Sequence, residues 1–315
     1  MNKINITCTE KNVLIDSKFT FEFEHNYQEF QNLTQFEFEQ IKDQDVFIIS
    51  DLLVNQRVLD QNPNLKLVCL SSTGFDHIDI DLLRKNKIMV CNVRGHATIA
   101  VAEFAFMLMI NLIKNSTSQI DAVREGKWNI DNGVFYLANP INELNGKTLT
   151  IIGKGDIGSA LAKMVSGFGI NVIFSERKNS LTCREGYTPF NEAIQKADII
   201  SLHCELNSDT KGMIDKEVFS LMKPSALLVN VGRGALINDK DLVNALENNI
   251  ISGFAADVLN QEPPNSDHIL IKLQHPNKIL TAHIAWASND AQVKLFNAIQ
   301  SNVNNNIKGN FQNLV

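Results

Sequence analysis

The run Gly153-Lys154-Gly155-Asp156-Ile157-Gly158 lies near the middle of a 315-residue chain, and it constrains the fold more than any other feature. A G-x-G-x-x-G match alone carries little weight, since a glycine-rich turn produces it by chance. Its surroundings give it meaning. Thr148-Leu149-Thr150-Ile151-Ile152 reads as a short buried strand, and after the loop Ile157, Ala160, Leu161, Met164, Val165 and Phe168 fall on one face of a helix. A second strand, Asn171-Val172-Ile173-Phe174-Ser175, ends at Glu176, about twenty residues beyond the loop, where a dinucleotide-binding unit places its ribose-binding acid. Gly153 permits the tight turn, Gly155 lets the backbone approach a pyrophosphate, and Gly158 lets helix pack on strand, with the helix N-terminus facing the phosphate charge. Glu176 is expected to accept from the ribose 2′-OH and to repel the extra phosphate of NADP, so NAD is the expected cofactor. Arg177 and Lys178 complicate this, because either can pair with a 2′-phosphate. The late position of the loop implies a nucleotide domain inserted into another domain.

Composition fits two domains of ordinary size. Hydrophobic content of 44% with 20% charged residues describes a globular chain, and a net charge of −6 without any basic run argues against nucleic acid as a partner. Small molecules are the expected partners. The beginning, Met1 to Thr7, shows no export signal, and the most apolar run, residues 101–113, contains Glu103 and Asn111 and is too short to span a bilayer. No membrane partner is expected. Cys8, Cys69, Cys91, Cys183 and Cys204 form no close pair, which fits reduced thiols in a cytoplasmic protein. His268, His275 and His283 are too far apart for a compact metal motif, so no metal is expected. In the cluster Asp76, His77, Asp79 and Asp81, Asp79 or Asp81 is expected to cap a helix starting at Leu82.

Along the first hundred residues, strands are predicted at Ile4–Cys8, Val46–Ser50, Leu67–Leu70 and Ile88–Cys91, the alternation of a small parallel sheet. Phe19, Phe21 and Phe23 alternate with polar residues, as do Phe36 and Phe38, and both runs read as half-buried strand faces. From Val101 to about Arg124 a helix is predicted, with Ala102, Ala105, Phe106, Met109 and Ile113 on one side. Further strands are predicted at Ile199–His203, Ala226–Val231, Ile251–Phe254 and Ile279–Ala282. A last helix from about Ser288 carries Val293, Phe296, Ile299 and Val303.

Four further segments narrow the proposal: Leu221 to Gly234 (LMKPSALLVNVGRG), Ala256 to Pro263 (ADVLNQEP), Thr281 to Trp286 (TAHIAW), and upstream Ser72-Thr73-Gly74-Phe75-Asp76. With the central loop and Val101-Ala102-Glu103-Phe104, they resemble the D-isomer-specific 2-hydroxyacid dehydrogenases over nearly the whole chain. The resemblance implies two doubly wound parallel-sheet α/β domains, a Rossmann NAD-binding domain at residues 98–287 inserted into a flavodoxin-like substrate domain at residues 1–97 and 288–315. It implies hydride transfer between NAD(H) and a 2-keto or D-2-hydroxy acid, with Arg233, Glu262 and His283 catalytic. Arg233 suits the substrate carboxylate and keto oxygen, His283 the proton transfer, and Glu262 the orientation of a protonated imidazole.

By the same resemblance, the cofactor is expected at Gly153, Gly155, Asp156, Ile157, Gly158, Glu176 and Arg177. It is further expected at His203, Val231, Gly232, Arg233, Asp257, His283 and Ala285, with Asp257 on the nicotinamide carboxamide. The substrate is expected at Ser72, Thr73, Gly74, Arg233, His283 and Trp286. The chain departs from the family pattern at Glu205 and Ala282, where members usually carry proline. The runs Cys183 to Phe190 and His283 to Ser288 look like those of glycerate dehydrogenases (hydroxypyruvate reductases), implying hydroxypyruvate or glyoxylate as substrate. Residues 48–54 offer no Arg for a phosphorylated substrate, and Asp51 would repel one. D-lactate or phosphoglycerate as substrate, and an NAD(H)-sensing binding protein of corepressor type, are the competing readings. A homodimer is expected, with the helix after Val101 and the segment around Trp128 as contacts.

Overall fold

The computed structural model describes residues 3–315; Met1 and Asn2 lie outside the described residues. The chain divides into two compact units, Met1–Ala97 with Trp286–Val315, and Thr98–Ala285.

The first unit is built on five parallel strands: β1 (Ile4–Cys8), β2 (His25–Glu29), β3 (Val46–Ile49), β4 (Leu67–Leu70) and β5 (Met89–Cys91), in the order β2-β1-β3-β4-β5. Alternate side chains of a strand point to opposite faces, so Val46 and Ile48 join one core cluster while Phe47 and Ile49 join the other. The first cluster is closed by Leu295, Phe296, Ile299 and Val303 of the helix Asn289–Ile307, the second by Phe38, Val58, Leu59 and Leu83. Helices therefore cover both faces, as in a doubly wound sheet. Ser288 caps the last helix by accepting from the Ala291 amide, and Val293, expected on its buried face, is exposed instead.

Both aromatic alternations are corrected. Phe19 and Phe21 are buried, with Phe19 stacked 4.2 Å from Phe296, but they sit on irregular backbone before β2. Their alternation marks a loop laid on the core. Phe36 and Phe38 belong to a helical turn, Gln35–Phe38, opened by a Thr34–Glu37 capping box that leaves Phe36 exposed and Phe38 buried. Asp79 accepts from the Leu82 amide and caps the helix Ile80–Lys85, which starts two residues before the expected Leu82.

The second unit holds six parallel strands: β6 (Thr148–Ile152), β7 (Asn171–Ser175), β8 (Ile199–Leu202), β9 (Leu227–Asn230), β10 (Gly253–Ala256) and β11 (Lys278–Leu280). Their order is β11-β10-β9-β8-β6-β7, and a parallel bridge from Ser175 to Thr188 extends the sheet beyond β7. β8, β9 and β10 are buried throughout, as central parallel strands covered on both faces must be. The predicted helix over 101–124 is two helices, Thr98–Lys114 and Ser116–Arg124, bent by 65°. Asn115 makes the break with a left-handed φ of +49°, a conformation that Asn tolerates better than most residues. The first of these helices packs on the helix Asp156–Val165 and on β9 and β10. Among the described residues no single helix is long and apolar enough to cross a membrane.

Candidate active site

Successive strands of the second sheet end on one edge, and β6 is where the order reverses, with β7 on one side and β8 on the other. Open parallel sheets bind ligands outside the carboxyl ends of their strands at such a point. The loop after β6 supplies the Gly153 turn, whose φ of +108° favours glycine and whose added Cβ would lie 2.6 Å from the His203 carbonyl and the Cys204 amide. At Gly158 a Cβ would lie 2.1 Å from the Gly153 carbonyl oxygen, so the helix can approach the loop only without a side chain. Gly155 is different: a Cβ there meets no atom within 4 Å. That open space faces the start of the helix Asp156–Val165, which no side chain caps. A pyrophosphate fits such a place, because the first amides of a helix lack intrahelical partners and carry positive dipole. Asp156 and Ile157 form the first turn of that helix.

His203 follows β8, and its Nε2 lies 2.8 Å from Ser201 Oγ, while Nδ1 is buried with no hydrogen-bond partner. Burial pushes its pKa down to about 4, so the ring is neutral. An unpaired buried ring nitrogen beside the glycine loop is consistent with a ligand contact there.

Glu176 departs from expectation. It ends β7 as predicted but is 3% exposed, and its carboxylate is already fully engaged. Oε1 accepts from the Arg177 amide at 2.8 Å and Arg184 Nη2 at 2.6 Å; Oε2 accepts from Arg184 Nε at 2.8 Å and the Arg184 amide at 3.0 Å. The Arg184 side chain, then its amide and that of Arg177, bring the Glu176 pKa down to about 2. A carboxylate has about four acceptor directions, so none is left for a ribose hydroxyl while Arg184 stays. Arg177 is exposed, and Lys178 is committed to Asp215 at 2.6 Å. Arg184 is the residue that sequence reasoning missed. It stands in the run Cys183 to Phe190, but its reach back to Glu176 depends on loop geometry that no periodicity encodes.

Arg233, Glu262 and His283 all belong to the second unit and follow β9, β10 and β11. The Arg233 turn is pinned by Asn230, whose side chain accepts from the Gly232 amide and donates to the Arg233 carbonyl. Val231 and Gly232 form the exit from β9; a Cβ at Gly232 would lie 3.3 Å from Leu236 Cδ1. Gly234 ties this turn to the next strand's loop, since a Cβ there would lie 1.9 Å from the Leu259 carbonyl carbon. Glu262 Oε1 accepts from the Leu259 amide at 2.7 Å, and Oε2 lies 2.6 Å from His283 Nδ1.

Burial opposes the charge of Glu262, but the His283 contact, the Leu259 amide and the field of Arg233 outweigh it and hold its pKa below the ordinary value. The hydrogen bond to Glu262 raises the His283 pKa against partial burial, with Asp257 adding to the rise and Arg233 opposing it. This is an oriented imidazole whose protonated form the carboxylate favours, with a side chain 43% exposed.

Asp257 is nearly fully buried after β10. Oδ1 accepts from Thr281 Oγ1 at 2.6 Å and the Ile284 amide at 3.0 Å, Oδ2 from the Ala285 amide at 2.7 Å, and the Asp257 carbonyl from the His283 amide at 2.8 Å. Asp257 thus fixes the backbone around His283.

Ser72, Thr73 and Gly74 lie after β4 in the first unit. Ser72 Oγ donates to the Gly74 carbonyl, Thr73 Oγ1 to the Val93 carbonyl, and Asn92 Nδ2 to the Thr73 carbonyl. Those bonds make a stiff turn. Trp286 opens the returning part of the first unit and packs against the core that contains Phe296.

The model of the D-isomer specific 2-hydroxyacid dehydrogenase NAD binding domain matches residues 106–285. A putative 2-hydroxyacid dehydrogenase of Haemophilus influenzae is 36% identical over 284 residues, 89% of this chain and 90% of its own length. A glycerate dehydrogenase of Methylorubrum extorquens is 33% identical over 297 residues, 94% of this chain and 93% of its own. Among solved structures, a glyoxylate reductase of Paecilomyes thermophila superposes with a TM-score of 0.80 at 26% identity, covering 100% of this chain and 99% of the other.

Proposed function

The chain belongs to the D-isomer specific 2-hydroxyacid dehydrogenase family, and on that premise we propose that it reduces hydroxypyruvate and glyoxylate to D-glycerate and glycolate. It is an NAD-dependent dehydrogenase, and the family's NAD binding domain matches its residues 106–285. The observation that carries the catalytic assignment is the 2.6 Å contact between His283 Nδ1 and Glu262 Oε2.

When bound, the reduced cofactor supplies the hydride that arrives at the keto carbon. His283, protonated and held by Glu262, donates its proton to the keto oxygen, giving the hydroxyl. In the reverse direction the neutral ring takes that proton back. Arg233, a fixed cation with a forked donor set, holds the substrate carboxylate and polarises the carbonyl. The backbone of the Ser72–Gly74 turn and Trp286 are proposed, from the family resemblance, as substrate-binding residues of the first unit.

We assign the protein to the cytoplasm as a homodimer. All five cysteines are free thiols, in keeping with a reducing compartment. Trp128, Ile130, Val134, Phe135 and Leu137 are exposed in one segment of the second unit, with Ile130 95% and Phe135 91% accessible. Apolar groups this concentrated mark an association surface, and the occupant proposed is a second copy of the chain.

The test is NADH oxidation by the purified protein across a panel of 2-keto acids. Turnover with hydroxypyruvate or glyoxylate above that with pyruvate supports the assignment. Turnover confined to pyruvate, or absent throughout, contradicts it.

A further inference from the structure

At the end of β7 one cationic side chain, that of Arg184, binds the Glu176 carboxylate. Arg177 and Arg184 flank Glu176, and Lys154 of the glycine loop lies 4.8 Å from the Phe174 ring centroid and 5.2 Å from that of Tyr187. The Arg184 guanidinium lies 4.0 Å over the same Tyr187 ring, so that ring holds it in place while its Nε and Nη2 grip Glu176. An acid at the end of this strand selects NAD in two ways: it accepts from the ribose hydroxyls and it repels a 2′-phosphate. Arg184 weakens both, because it fills the acceptor directions of Glu176 and compensates its charge. A planar guanidinium at that position also matches the geometry of a phosphate.

We infer that Arg184 sets the cofactor discrimination of this enzyme, narrowing the preference for NAD(H) over NADP(H) by occupying Glu176 and by offering a cation to a 2′-phosphate. The inference rests on the dehydrogenase reading and adds a specificity residue to it. Release of Arg184 from Glu176 frees acceptor sites for the ribose hydroxyls, so NADH must compete with an intramolecular ion pair. NADPH bears its own anion for Arg184 and meets less of that competition.

The experiment measures dissociation constants of NADH and NADPH separately, by quenching of tryptophan fluorescence on the full chain without any keto acid. In the natural protein the two constants are expected to lie within about tenfold of each other. Arg184→Leu is expected to tighten NADH and weaken NADPH, widening their ratio by about tenfold or more. Arg184→Lys, which keeps the charge but loses the fork, is expected to fall between. Glu176→Gln should move the ratio the other way. Because the Arg184 side chain is half exposed, a thermal melt of the Leu variant separates lost folding from altered binding. NADH binding with a ratio unmoved by Arg184→Leu overturns this inference alone. A folded natural protein that binds neither dinucleotide removes the dehydrogenase reading with it.

Discussion

His283 sits on backbone with a φ of +54°, a left-handed conformation that costs a non-glycine residue on the order of 1–3 kcal/mol. Bonds from the His283, Ile284 and Ala285 amides to Asp257 hold it there, and the result is an imidazole aimed at Glu262. The pH dependence follows from the direction of the shift. Reduction needs the imidazolium, and Glu262 raises the His283 pKa, so reductive turnover persists above the ordinary histidine range and falls as pH rises through the raised value. Oxidation of the hydroxy acid, which needs the neutral ring, runs the other way. Glu262→Gln is expected to move the reductive limb toward acid pH and to lower kcat by about tenfold to a hundredfold; a pH–rate profile with an unmoved limb would contradict the pairing. At this scale the motifs named Arg233, Glu262 and His283, and the structure brings Glu262 and His283 into contact. The sequence was silent on Arg184, whose partner lies eight residues back across a turn.

Glycines position the elements that carry these residues. Gly234 lets the Arg233 turn press against Leu259, whose amide in turn holds Glu262, so one missing side chain sets the spacing of two groups proposed as catalytic. Gly234→Ala is expected to lower kcat by on the order of a hundredfold while NADH still binds, since about 1 Å of misplacement has that effect. Equal kcat in that variant would show that the contact is not needed. Elements with a clear apolar period were legible, including β6, the helix after it and the last helix. β2 was not, because His25-Asn26-Tyr27-Gln28-Glu29 is a polar edge strand with no fully buried residue. Nor was the break at Asn115, since the apolar pattern runs through it and only the left-handed backbone reveals it.

For the molecule as a whole, the middle position of the glycine loop was the decisive clue. The chain completes five parallel strands, leaves at Ala97 for a second unit, and returns at Trp286, so the loop follows the first strand of the inserted unit's sheet. That return comes two residues before the expected boundary at 288 and puts Trp286 in the first unit. The proposed dimer contact around Trp128 came from the resemblance, and the fold adds that Trp128, Ile130, Val134, Phe135 and Leu137 are exposed there. Replacing Trp128 and Phe135 together by Asp is expected to halve the mass seen by light scattering; an unchanged mass would remove the dimer assignment or move its interface. The account as a whole stands on proton transfer by one imidazole. It is tested most directly by steady-state NADH oxidation with hydroxypyruvate, comparing the natural protein with His283→Ala. Loss of kcat by about a hundredfold to ten-thousandfold with NADH binding retained is the predicted result; full turnover in the variant would contradict it.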